Sequence, residues 1–129
     1  TRLYPGTAAG LRRLYDAGLP LAVISNKPEA PSKIILETLG IAGMFRWIIG
    51  GDSGFTLKPD PEALLHVIDA AGAVASHSYM VGDNYTDLAS ARLAGMLRIY
   101  ADYGFGDPQG EPYDFHVSDF DELVDLILK

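Results

Sequence analysis

The chain has 129 residues, 48% of them hydrophobic and 21% charged, a balance that buries a core and excludes a disordered tail or a low-complexity fibre. It contains no cysteine, which excludes a disulfide scaffold, a zinc–thiolate centre and a cysteine nucleophile. Ten Lys and Arg against seventeen Asp and Glu give a net charge of −7, a surface that argues against nucleic acid and anionic lipid as partners. Leu11, Leu14 and Tyr15 at helical spacing predict a first helix capped by Gly18. The β-branched run Leu21-Ala22-Val23-Ile24 predicts a buried strand. Ala30, Ile34, Ile35 and Leu39 form a second helix pattern ending at Gly40. Trp47-Ile48-Ile49 reads as a strand, and Leu64, Leu65 and Ile68 as a helix entered through Asp60 as N-cap and Pro61 in its first turn. Tyr79-Met80-Val81 is a third strand, and Leu88 and Ala91 lead a helix to Gly95. Leu97-Arg98-Ile99-Tyr100 is a fourth strand and Phe115-His116-Val117 a fifth. Ser118 with Asp121 resembles a capping box ahead of the apolar face Phe120, Leu123, Val124 and Ile127.

This alternation predicts an α/β fold of βαβ units, with one parallel sheet and helices on both faces. Ligands in such sheets bind beyond the carboxyl ends of the strands, so the residues after each strand are the candidates for function. The Gly- and Pro-rich stretch from Asp102 to Asp114 reads as a surface loop or a mobile flap.

Ser25 and Asn26 follow the first strand. A hydroxyl followed by amides entering a helix donates to a phosphate oxygen, or simply caps the helix. Gly50-Gly51-Asp52-Ser53-Gly54 follows the second strand and matches neither a dinucleotide fingerprint nor a Walker sequence. Lys58 lies in Lys58-Pro59-Asp60-Pro61, where two prolines present its ammonium from a stiff loop, either to a phosphoryl group or to solvent. The third strand runs into Gly82-Asp83-Asn84-Tyr85-Thr86-Asp87. Two carboxylates four apart suit Mg²⁺, which takes one or two carboxylates plus phosphate and water; the alternative is that they cap the helix and complement its dipole. Hydroxyl, ammonium and paired carboxylates on one sheet edge would supply the charge neutralisation that phosphoryl transfer needs. They would also give an acidic chain a local positive field for an anionic substrate.

In this order the elements Tyr4-Pro5-Gly6, Ser25-Asn26-Lys27-Pro28, Gly50-Gly51-Asp52, Lys58-Pro59-Asp60-Pro61, Gly82-Asp83 through Asp87, and Ala94-Gly95 resemble the haloacid dehalogenase superfamily, in its phosphoglycolate phosphatase-like branch. The resemblance implies a Rossmann-like core making up residues 1–129 as a single partial domain. It implies a Mg²⁺-dependent phosphoric monoester hydrolase acting on a small phosphorylated metabolite in the cytoplasm. Ser25 and Asn26 would bind phosphate, Lys58 would stabilise the phosphoryl charge, and Asp83 with Asp87 would hold Mg²⁺. The superfamily's nucleophile is the first aspartate of an Asp-x-Asp-Gly-Thr element on the first core strand. That element, and the cap domain that follows it in the family, are absent from this chain. Asp119-Phe120-Asp121 lacks the Gly-Thr and reads as a helix start.

Two expectations follow. The chain alone is inactive, because a phosphoaspartyl intermediate needs that nucleophile. The missing strand would lie between those carrying Ser25 and Asp83. A complementing N-terminal segment or another copy of the chain then fills the gap, or the halves close together, or the chain is poorly stable. The competing readings are a non-catalytic module binding phosphate and metal, and a receiver-like phosphoacceptor domain. The order of Ser25 and Lys58 before Asp83 argues against the receiver.

Overall fold

A computed structural model describes residues 6–104 and 106–129. Tyr4 and Pro5 of the Tyr-Pro-Gly element lie outside the described residues. Among the described residues five strands and five α-helices follow one another, alternating except that β5 comes directly after β4: α1 (Thr7–Asp16), β1 (Ala22–Ile24), α2 (Glu29–Thr38), β2 (Trp47–Ile49), α3 (Glu62–Ala70), β3 (Tyr79–Gly82), α4 (Tyr85–Ala94), β4 (Leu97–Ala101), β5 (Phe115–Val117) and α5 (Phe120–Leu128). Every strand pairing among the described residues is parallel; helices cross over between β1 and β2 and between β3 and β4, whereas β4 and β5 are joined without a helix. No helix among the described residues is long and apolar enough to cross a membrane.

The chain divides into two compact units: the described residues up to Ser53 together with Asp119–Lys129, and Gly54–Ser118. The first unit holds a two-stranded sheet, β1–β2, with Val23 opposite Ile48. Its core is built from Leu11 and Leu14 of α1, Ile41, Met44, Ile49, and Phe120, Leu123 and Val124 of α5. Helices α1 and α5 meet at Gly10, where a Cβ would lie 2.4 Å from the Phe120 ring and 2.9 Å from Val124. A helix-interior glycine is costly in chain entropy, and here it is what lets the aromatic ring reach the helix backbone.

The second unit holds a three-stranded sheet in the order β3–β4–β5. Its core comprises Leu64 of α3, Leu88, Ala89 and Ala91 of α4, and Ile99, Ala101 and Val117 of the sheet. The small residues of α4 let it lie close on β3 and β4 while α3 packs over it.

Hydrogen-bonded neighbours thus leave β1 and β3 at sheet edges. No residue of β1 is fully buried, and Val81 of β3 is 36% exposed, in keeping with strands at sheet edges.

Helix starts differ from the sequence expectations in three places. Before α3, Pro61 occupies the cap position, and Asp60 Oδ1 accepts from the Glu62 amide at 2.9 Å. Before α5 the cap is Asp119, whose carboxylate accepts from the Glu122 amide at 2.7 Å. Ser118 instead donates its hydroxyl to Asp102 at 2.9 Å. Before α4 the cap is Asn84, so neither Asp83 nor Asp87 caps that helix. In the latter two the capping residue has extended backbone dihedrals and its side-chain oxygen reaches an amide three residues on.

Candidate active site

The carboxyl end of β3 carries a polar cluster. Asn84 Oδ1 accepts from the Asp87 amide at 3.2 Å and from the Thr86 hydroxyl at 2.7 Å. This fixes the first turn of α4 and turns Asp87 back toward the strand end. Asp87 Oδ2 accepts from the Asp83 amide at 3.3 Å. Asp87 Oδ1 receives Lys58 Nζ at 2.5 Å. The Lys58 side chain is 8% exposed and that of Asp87 12%, so the pair is largely out of water and its attraction is weakly screened. Gly82 makes the arrangement possible: a Cβ there would fall 2.2 Å from Asp87 Cβ and 2.7 Å from its Oδ2.

Of the residues predicted from the sequence, the structure therefore brings together Lys58, Asp83 and Asp87. It assigns Asp87 a definite local task. Both of its oxygens already accept from the protein, one from an ammonium and one from a backbone amide. Lys58 is presented through a cis Lys58–Pro59 peptide, and its ammonium points into the cluster rather than to solvent.

A divalent cation fits part of this set. Asp83 offers a hard carboxylate ligand at a strand end, and Asp87 lies beside it with its oxygens shared with Lys58 and an amide. No group of three or more His, Cys, Asp or Glu suited to a metal occurs among the described residues. Carboxylate oxygens are hard donors of the kind a divalent cation such as Mg²⁺ takes.

Ser25 and Asn26 belong to the other unit. The Ser25 amide donates to the Ile49 carbonyl at 2.9 Å, extending the β1–β2 ladder by one residue. Its hydroxyl oxygen accepts from the Lys27 amide at 3.0 Å, which orders the turn into α2 and leaves the hydroxyl proton out of that bond. Asn26 is exposed in the same turn.

The Gly50-Gly51-Asp52-Ser53 segment has a structural role. Asp52 Oδ1 accepts from the Glu29 amide at 2.8 Å, capping α2 from 23 residues away because Pro28 at the cap position has no suitable side chain. Ser53 donates to Glu29 Oε1 at 2.8 Å and accepts from the Gly50 amide at 2.9 Å. A Cβ on Gly50 would sit 2.2 Å from the Glu29 nitrogen, so only glycine lets the two segments meet.

Described residues of the Asp102–Asp114 stretch are hydrogen-bonded to neighbouring elements. The Tyr85 amide donates to the Asp107 carbonyl at 2.9 Å, and the Asp114 amide to the Arg98 carbonyl at 2.9 Å. Arg92 of α4 pairs with Glu111, and this hydrogen bond with the carboxylate's charge pushes the guanidinium pKa up. At its start, the Gly106 amide donates to Asp83 Oδ2 at 3.2 Å.

Asn84 and Gly106 were not singled out from the sequence. Asn84 three residues before Asp87 is a readable capping spacing. The contact of Gly106 with Asp83, 23 residues apart, carries no local signal.

Comparison with known proteins identifies the family. Residues 1–101 match the family described as haloacid dehalogenase-like hydrolase. A phosphoglycolate phosphatase of Neisseria meningitidis is 43% identical over 107 residues, covering 83% of this chain and 46% of that protein. One from Pseudomonas putida is 41% identical over 114 residues, covering 88% of this chain and 41% of that protein. The chain thus spans less than half the length of these curated relatives. A crystal structure of a predicted phosphoglycolate phosphatase from Haemophilus somnus superposes with a TM-score of 0.91 at 29% identity, covering 97% of this chain and 57% of that one. With four-fifths of the sequence inside the family match and the parallel α/β architecture shared, the chain belongs to the haloacid dehalogenase-like hydrolases.

Proposed function

We propose that this chain forms the greater part of the core of a phosphatase that hydrolyses small phosphate monoesters in the cytoplasm, with Mg²⁺ as cofactor. The observation that carries the proposal is the buried Lys58 ammonium held on Asp87 beside Asp83. A fixed ammonium next to a carboxylate at a strand end is suited to neutralising a phosphoryl group whose charge spreads over its oxygens. Lys58 stabilises that charge, and Asp87 keeps the ammonium in place. Asp83, assisted by Asp87, would hold Mg²⁺, which supplies charge neutralisation when bound. Ser25 and Asn26 bind phosphate through the hydroxyl proton and the side-chain amide. The names of the relatives favour a two-carbon phosphorylated acid as substrate.

The reaction passes through a phosphoaspartate on an aspartate outside this chain. The test is hydrolysis of p-nitrophenyl phosphate and of phosphoglycolate with Mg²⁺. The protein as its gene encodes it is compared with residues 1–129 alone and with the preceding segment added in trans. Turnover is expected wherever that segment is present and absent from residues 1–129 alone. Turnover by residues 1–129 alone overturns the external nucleophile. Failure of the gene product itself, with phosphate and Mg²⁺ still bound, makes the protein a binding module instead.

A further inference from the structure

The turn that follows β4 approaches Asp83 with bare backbone. A Cβ on Gly104 would lie 2.3 Å from Asp83 Oδ2, 2.5 Å from its Cβ and 2.7 Å from its Cγ. A Cβ on Gly106 would lie 2.5 Å from the Asp83 carbonyl oxygen and 2.5 Å from Asn84 Cβ. Neither space admits any other residue without displacing Asp83 or the turn. Between these two contacts the Gly106 amide donates to Asp83 Oδ2, and just beyond them the Asp107 carbonyl accepts from the Tyr85 amide at 2.9 Å. Gly106 is therefore bonded to Asp83 and Asp107 to the first residue of α4, while the amide of Asp83 itself donates to Asp87.

We propose that Gly104 and Gly106 are positioning residues whose backbone seats the Asp83 carboxylate and thereby sets the protein's affinity for a divalent cation. A ligand carboxylate held by a backbone amide keeps its rotamer before the cation arrives, so the entropy of ordering it is not charged to binding. The two glycines are needed because the seat is van der Waals contact with a backbone and leaves no room for a side chain. The inference rests on the reading of Asp83 as a cation ligand.

The test uses the protein as its gene encodes it. Gly104→Ala and Gly106→Ala are compared with Gly43→Ala, whose added Cβ meets nothing within 4 Å. Calorimetric titration with Mg²⁺ is expected to show Kd raised about tenfold or more in the first two and unchanged in the third. Thermal melting supplies a readout independent of the cation. Gly104→Ala is expected to lower Tm by about 4 °C or more. In an Asp83→Gly background, where the crowded side chain is gone, it is expected to have little effect.

Wild-type Kd in both variants, or a Tm loss that persists in the Asp83→Gly background, overturns the seat. If the variants fail to fold, the ¹⁵N–¹H resonance of Gly106 in the wild-type protein decides. It is expected to be among those most shifted by Mg²⁺, and an unmoved resonance overturns the proposal. Absence of Mg²⁺ binding by the wild-type protein overturns the cation reading itself, while the Tm comparison still reports separately whether Gly104 and Asp83 are coupled.

Discussion

Lys58 Nζ lies 2.5 Å from Asp87 Oδ1, and both side chains are almost withdrawn from solvent. Breaking such a pair by removing one member costs about 3–5 kcal/mol, because the surviving charge is left without a partner. Lys58→Met is expected to lower stability by about that amount in urea denaturation. Pairing it with Asp87→Asn, which removes the orphaned charge, is expected to restore much of the loss. Activity should not return with stability: a fixed cation facing developing negative charge is worth about 10²–10³ in kcat. A double variant that regains both would show that Lys58 serves only the fold.

Asp83 poses the opposite case. Its side chain takes the Gly106 amide, a bond that an asparagine oxygen can also accept. Asp83→Asn is therefore expected to leave stability within about 1 kcal/mol of wild type while abolishing the response of activity to Mg²⁺. Melting curves and Mg²⁺ titrations on the same samples separate the two effects. A large stability loss would mean that the negative charge itself holds the β3–α4 junction together.

Much of this was readable in the sequence, and the reasons are local. Short apolar runs marked all five strands, and the Gly-Asp-x-x-x-Asp spacing placed two carboxylates beside one strand end. The Lys58 partnership with Asp87 spans 29 residues, so the sequence offered both members and not the bond. Cap identities were misplaced at Asp60, Asp83 and Ser118 because adjacent polar residues compete for one position and the backbone dihedrals decide. The cap of α2 was invisible, since Asp52 reaches Glu29 only through the meeting of Gly50 with the start of that helix. The same holds for Gly104 and Gly106, which read as loop glycines until the turn's path over Asp83 is seen.

Gly10 tests how far packing overrides propensity. Alanine is the better helix former by about 0.5–1 kcal/mol, yet its Cβ would overlap the Phe120 ring at 2.4 Å. Overpacking of this kind costs about 1–3 kcal/mol, so Gly10→Ala is expected to be destabilising overall. Gly10→Ala combined with Phe120→Leu, which withdraws the ring, should cost less than the sum of the two changes in chemical denaturation. Simple additivity would mean that α1 shifts freely on α5.

Asp102 links the two sides of the β4–β5 pair. His116 Nε2 lies 2.6 Å from its Oδ2, and Ser118 donates to the same oxygen at 2.9 Å. The His116 hydrogen bond, followed by that from Ser118, holds the Asp102 carboxyl below its ordinary pKa of 3.8. A folded-state pKa below the unfolded one means that the unfolded chain binds the proton more readily. The stabilisation is therefore complete above pH 3.8 and is lost as pH falls through the lowered folded-state value. Carboxyl ¹³C shifts of Asp102 followed with pH should titrate below the usual aspartate range. In Ser118→Ala the midpoint should rise part of the way, and in His116→Ala further, because the His116 bond is the larger cause. Both variants should also narrow the acid side of the stability profile. A midpoint that stays put when His116 is removed would assign the depression to other groups and release β5 from this pairing.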